Sequence, residues 1–217
     1  AAGGPPAADE YFERRHDDAV AAALAADQLG LLLQLFLVGR AVPRAEISDG
    51  LAAELLRHGL LVPHAADASL LLSPAQIYPL DLDDGTTLLV ATDWPIESVH
   101  LASASRVMPI GVDSLTLALG MPAGLCANKR VLDVCCGSGI QALAAAAAGA
   151  SHVTASDISP RAVRFTQFNA ALNAQPSVIA LCGDGLDAVR GERFDVILAN
   201  PPFVAVPPGV TAALYVT

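Results

Sequence analysis

The chain has 217 residues, 53% of them apolar and only 5% aromatic, with a formal charge of −10. That length suits one large domain or two small ones with a sizeable core, and a surface this acidic repels phosphate backbones, which disfavours long nucleic acids as partners. Cys126, Cys135, Cys136 and Cys182 have no metal-ligand spacing, so no metal site is expected; they read as reduced thiols of a cytoplasmic protein. No apolar run reaches the roughly 20 residues of a membrane helix.

In chain order, residues 1–16 begin Ala-Ala-Gly-Gly-Pro-Pro and read as a flexible tail. Residues 17–38 are rich in alanine and leucine at helical spacing, and Gly39 is a natural stop. Residues 49–58 give a second helix with Ser48 as cap and Asp49 in the first turn; Gly59 ends it before a short strand, Leu60-Leu61-Val62-Pro63. Two β-like runs follow, through Leu70-Leu71-Leu72 to 77–80 and then over 86–92, with Asp83-Asp84-Gly85 as the turn between them. Helices followed by a hairpin predict a smaller winged-helix-like α+β module over 17–98. Glu46, Asp49 and Glu54 stand there against Arg44 and Arg57, a balance better suited to docking a substrate or to dimerisation than to gripping DNA. Tyr78 and Trp94 read as hairpin packing.

Residues 99–217 form the second predicted domain. Pro109-Ile110-Gly111-Val112-Asp113-Ser114 is a loop entering a short helix. Strands at 131–134, 152–156, 178–181 and 194–199 then alternate with helices at 141–148 and 160–172, the latter with Pro160 in its first turn. Such alternation predicts a doubly wound, mainly parallel α/β sheet. Only residues 204–217 follow the Asn200-Pro201-Pro202-Phe203 corner after the last strand, so the sheet is expected to be truncated at its carboxyl end, as in a fragment of a longer protein.

The chemistry gathers at the carboxyl ends of these strands, where open α/β sheets bind ligands. The first strand runs into Cys135-Cys136-Gly137-Ser138-Gly139, whose glycines allow a tight turn beneath a ligand at the next helix's amino end. Asp157 ends the second strand about 20 residues on, the distance at which a carboxylate reaches ribose hydroxyls; Ser159 is the better helix cap and leaves Asp157 free. Gly183-Asp184-Gly185 follows the third strand as a turn carrying another carboxylate. The last strand stops at Asn200-Pro201-Pro202-Phe203, because two prolines cannot continue a sheet. Gly137-x-Gly139-x-x-Ala142 formally matches a dinucleotide fingerprint, yet Asp133 just ahead of it would repel a pyrophosphate and favour a cationic ligand. The absence of Lys-Ser/Thr after the glycines excludes a P-loop.

Together these residues resemble the class I S-adenosylmethionine-dependent methyltransferases, and within them the small methyltransferase domain group. That group includes glutamine-N5 and nucleobase amino methyltransferases. The resemblance implies a Rossmann-like sheet and S-adenosyl-L-methionine as cofactor. Asp133 would lie near the methionine end, Gly137 and Gly139 beneath the cofactor, Asp157 at the ribose and Asp184 by the adenine. Cys135, Ile158, Gly185 and Asn200 complete the implied cofactor-contacting set. Asn200 and the Pro201 carbonyl would accept hydrogens from the target nitrogen, with Phe203 packed on the target's plane.

The implied reaction is methyl transfer to an amide or amino nitrogen of a protein side chain or small molecule. RNA or DNA amino groups and a non-catalytic binding platform are the alternatives. Cys135 stands where the family has glycine, and neither it nor Cys136 has a histidine nearby to make it a nucleophile.

Overall fold

The computed structural model describes residues 27–94 and 106–203; the expected tail over 1–16, helix residues 17–26 and the segment 204–217 lie outside them. The described chain divides into two compact units, one of residues 27–78 with Trp94 and one of residues 79–93 with 106–203.

In the first unit, α1 (Gln28–Leu33) starts at Asp27, whose backbone is extended and whose carboxylate accepts the Gly30 N–H at 2.8 Å. The helix expected to run unbroken over 17–38 is thus interrupted there, because a short acceptor side chain that captures a nearby N–H favours a helix start over a helix interior. A π turn over Gln34–Val38 carries on to Gly39, where the helix stops as expected. The next helix, α2 (Asp49–Arg57), keeps Asp49 in its first turn, but Ser48 makes no capping bond. Around the helices, β1 (Val42–Pro43), β2 (Val62–Pro63) and β3 (Leu70–Leu72) form an antiparallel sheet in the order β1-β3-β2. Leu31, Leu35, Val42, Ile47, Ala52, Leu61 and Leu71 close the core. Trp94 is buried and its indole donates to the Ser73 carbonyl at 3.0 Å, a packing role.

The strands β4 (Gln76–Asp81) and β5 (Thr87–Thr92) form a hairpin about the Asp83-Asp84-Gly85 turn. The second unit then continues through α3 (Val112–Leu119) into a strand–helix alternation. Its strands are β6 (Arg130–Val134), β7 (His152–Asp157), β8 (Val178–Cys182) and β9 (Val196–Ala199); α4 (Ile140–Ala147) and α5 (Pro160–Leu172) are the crossovers. All four strands are parallel, in the order β8-β7-β6-β9. The chain therefore builds outward from β6 on one side and returns to its other side with β9. That reversal makes the end of β6 the switch point, where a crevice opens.

The core of this unit brings Val131, Val153, Ala155, Ala180 and Leu198 of the sheet against Ala142 and Ala145 of α4 and Val163 of α5. The alanines of α4 let its backbone lie close to the sheet, which sets the glycine loop tightly over the strand ends.

Two amides join α5 to the hairpin. Asn169 accepts the Ala91 N–H and donates to the Ala91 and Ser138 carbonyls, each at 2.8 Å, and Asn173 repeats the two-way pairing with Leu89. Asp93, at the end of the hairpin, accepts from Arg161 of α5 at 2.9 Å and from the Val107 N–H at 2.8 Å.

Candidate active site

Each expected site residue has a place fixed by the parallel sheet. The register pairs Val134 with Ser156 and with Ala199, and Asp157 with Cys182, so the four strands finish nearly level. From β8 to β9 the edge carries Asp184, then Asp157, then the Cys135–Gly139 loop, then Asn200. Residues scattered over the sequence thereby share one rim of the sheet.

The loop is shaped by backbone conformation. Cys135, Gly137 and Gly139 all have positive φ, at 59°, 54° and 81°. A Cβ on Gly139 would stand 2.7 Å from the Thr166 side chain, so only glycine lets the loop pass over α5. Thr166 is wholly buried; its hydroxyl contacts the Cys136 thiol at 3.3 Å and donates to the Gly137 carbonyl at 3.3 Å. Nothing in the sequence pattern marked this threonine.

Cys135 holds a left-handed conformation that costs a non-glycine residue about 1–3 kcal/mol. Cys135→Gly is therefore expected to stabilise the protein by about 1 kcal/mol, after the added freedom of the unfolded chain is subtracted. A thermal melt checks it: a rise of about 2–4 °C is expected for a chain of this size.

Asp157 spans the rim. Its Oδ2 accepts the Gly137 N–H at 2.9 Å and its Oδ1 accepts the Ser159 N–H at 2.8 Å. The cap of α5 is Ser159, whose hydroxyl accepts from Ala162 at 3.4 Å, with Pro160 next to it.

Asp133 is fully buried and accepts the Ala142 N–H at 3.1 Å through Oδ2, while Oδ1 has no partner among the described residues. Burial pushes its pKa up to about 8, with the Ala142 bond opposing and the Asp157 charge adding to the rise.

The thiols do not resemble nucleophiles. Cys135 is raised by burial first, then by Asp157, Asp133 and Asp184; Cys136 is raised further, again mainly by burial. Asp157 holds the loop at Gly137, and the charges of Asp133 and Asp184 also reach Cys135. A cation fits such a place and a pyrophosphate does not, and the orphaned oxygen of Asp133 gives the mismatch a location.

At the β9 end, the Asn200 amide nitrogen donates to Asp113 at 2.8 Å and to the Ser114 hydroxyl at 3.3 Å. Among the described residues nothing donates to its Oδ1. Asp113 and Ser114 begin α3; sequence reasoning placed them in a loop entering a helix and gave them no part in the site. Pro201 and Phe203 follow in the open, with Phe203 69% exposed; Ile158, beyond Asp157, is 66% exposed. Exposed apolar side chains at both flanks of a polar rim are suited to packing on flat rings. Asp184 and Gly185 are exposed at the β8 end. A separate cavity of about 210 Å³, lined by Ala118, Met121, Cys126, Ala144 and Ala148, contains none of these residues.

Residues 110–213 match the family model described as Methyltransferase small domain. The ribosomal protein L11 methyltransferase of Dechloromonas aromatica is 50% identical over 70 residues, 32% of this chain and 22% of that protein. The release factor glutamine methyltransferase of Xylella fastidiosa is 40% identical over 114 residues, 52% of this chain and 41% of that protein. A crystal structure of the ribosomal protein L11 methylase from Lactobacillus delbrueckii subsp. bulgaricus is 31% identical, covering 51% of this chain and 62% of that one with a TM-score of 0.39. The chain spans less than half the length of these two curated relatives. Residues 110–213, a little under half of the chain, are thus similar to the methyltransferase small domain family.

Proposed function

We propose that this chain is an S-adenosylmethionine-dependent methyltransferase acting on an amide or amino nitrogen. The observation that carries the reading is the level rim of parallel strand ends. It sets three carboxylates and a left-handed glycine loop beside an asparagine whose amide oxygen accepts nothing from the described residues.

The cofactor fits the residues present. Asp157, one residue from the exposed Ile158, would hold the ribose, and Asp184 with Gly185 would border the adenine. Asp133 and the Cys135–Gly139 loop would face the cationic methionine end. When bound, S-adenosylmethionine supplies an electrophilic methyl group on a sulfonium.

The chain's own task is to present the nucleophile. An amide or aryl amine is a weak nucleophile because its lone pair is delocalised. Asn200 Oδ1 and the Pro201 carbonyl would accept its two N–H groups, turning the lone pair toward the methyl. They would also stabilise positive charge growing on nitrogen. Phe203 would hold the target's plane, and the rigid prolines keep the acceptors in position.

For the acceptor, an acidic protein favours a protein side chain or small molecule over a nucleic acid. Two of the relatives are named for methylation of a ribosomal protein and of a release factor. Among the described residues no helix is long and apolar enough to cross a membrane.

Calorimetry with S-adenosylhomocysteine tests the cofactor half of the proposal. Heat of binding is expected from the unmodified chain. Asp157→Ala removes one acceptor for the ribose and frees the Gly137 N–H, so affinity is expected to fall about 10- to 100-fold. Binding of NADH with no response to S-adenosylhomocysteine would return the site to a dinucleotide. Neither ligand binding would support a non-catalytic platform.

A further inference from the structure

We propose that Asp113 is a positioning residue that fixes which face of the Asn200 amide meets the methyl acceptor. This rests on the acceptor role of Asn200 proposed above.

An asparagine side chain is nearly symmetric in shape but opposite in chemistry at its two ends. To receive a hydrogen from the target nitrogen, it must present oxygen and hide nitrogen. Rotation by half a turn would present two donors instead and repel an N–H. Something must therefore choose the orientation. An ionised carboxylate only accepts, so it can pair with the Nδ2 end and never with the Oδ1 end. Asp113 makes that pairing at 2.8 Å. The Ser114 hydroxyl, at 3.3 Å, adjoins the same nitrogen.

The carboxylate is itself held in place. It lies in the first turn of α3, where the helix dipole favours a negative charge. It leans back over Gly111: a Cβ there would come within 2.5 Å of Asp113 Oδ1. Gly111 leaves the room that this rotamer needs. The Ser114 carbonyl accepts from Gln141 of α4 at 3.4 Å, which braces the turn against the helix that follows the glycine loop. A charge behind the amide nitrogen also polarises the group, making Oδ1 a stronger acceptor where positive charge develops.

The test uses Asp113→Ala, Asp113→Asn and Gly111→Ala beside Asn200→Ala. Three readouts are taken: calorimetry with S-adenosylhomocysteine, the ¹⁵N–¹H signals of the Asn200 side-chain amide, and initial transfer from tritiated S-adenosylmethionine into a cell extract. The Asn200 amide pair is assigned by its loss in Asn200→Ala.

Asp113→Ala is expected to slow transfer about 10- to 100-fold, leave S-adenosylhomocysteine affinity within about twofold, and abolish the slowed hydrogen exchange of the Asn200 amide. Asp113→Asn, which can still accept but can also donate, is expected to fall between wild type and Asp113→Ala. Gly111→Ala keeps the carboxylate but displaces it, and is expected to slow transfer in the same direction.

Wild-type transfer by Asp113→Ala, while Asn200→Ala is inactive, overturns the positioning role and leaves the proposed function standing. A parallel loss of cofactor affinity and transfer in Asp113→Ala also overturns it, because a merely structural residue would give that result. Full transfer by Asn200→Ala removes the acceptor site itself, and this inference with it.

Discussion

Asn200→Ala is expected to lower the rate of methyl transfer by about 10²–10³-fold while S-adenosylhomocysteine still binds. Losing one preorganised hydrogen-bond acceptor at a centre of developing charge has an effect of that size. The Pro201 carbonyl alone would then orient the target, and one acceptor cannot fix the rotation of an NH₂ group. Cofactor binding survives because Asp157 and the glycine loop lie on the neighbouring strands, tied together through the Gly137 N–H and not through Asn200. The measurement is a single-turnover rate set beside a calorimetric affinity. Equal losses in both would mean that Asn200 serves the cofactor instead of the acceptor.

Asn169→Ala is expected to destabilise the second unit by about 3–5 kcal/mol, a fall of about 10 °C in melting temperature. The side chain is fully buried and satisfies three backbone groups: the N–H and C=O of Ala91 and the C=O of Ser138. Alanine leaves all three dry and unpaired at about 1–3 kcal/mol each, partly relieved by local relaxation, and adds a small cavity. Asn173→Ala is the control. It breaks the matching pair at Leu89, which is 41% exposed, so water replaces the lost partner and the change is expected to stay below about 1 kcal/mol. A chemical denaturation series on the two variants separates them. Similar losses would show that burial is not what distinguishes the two amides.

The parallel sheet was legible because its signals are local. The Pro160–Leu172 helix was found residue for residue, since Ser159 and Pro160 mark its start and the apolar spacing carries it to Leu172. The rim was legible for a similar reason: a parallel strand ends where its apolar run stops, at the Cys135–Gly139 loop for β6, at Asp157 for β7, at Gly183 for β8 and at Asn200 before two prolines for β9.

What was not legible depends on contacts between distant residues. Asp113 meets Asn200 across 87 positions, and a first-turn aspartate looks like any other helix-start acid. Asn169 looks like an ordinary polar position on a helix, because a backbone partner has no sequence signature. Ser48 shows the reverse failure. Its identity suits a cap, but a hydroxyl caps only if its rotamer faces the helix, and here it does not. Cys135 lies between the two cases: its sequence position announced a departure from glycine, and the backbone kept the glycine conformation at a strain the thiol has to bear.

The paired amides of α5 also determine what β5 can do with other molecules. A hairpin strand with bare N–H and C=O groups along one side is a template on which a strand from another copy can align. At Leu89 and Ala91 those groups are already matched, by side chains that cannot extend a ladder any further. The helix therefore acts as a terminator on that side: the same contact that fixes β5 closes its free edge to neighbours.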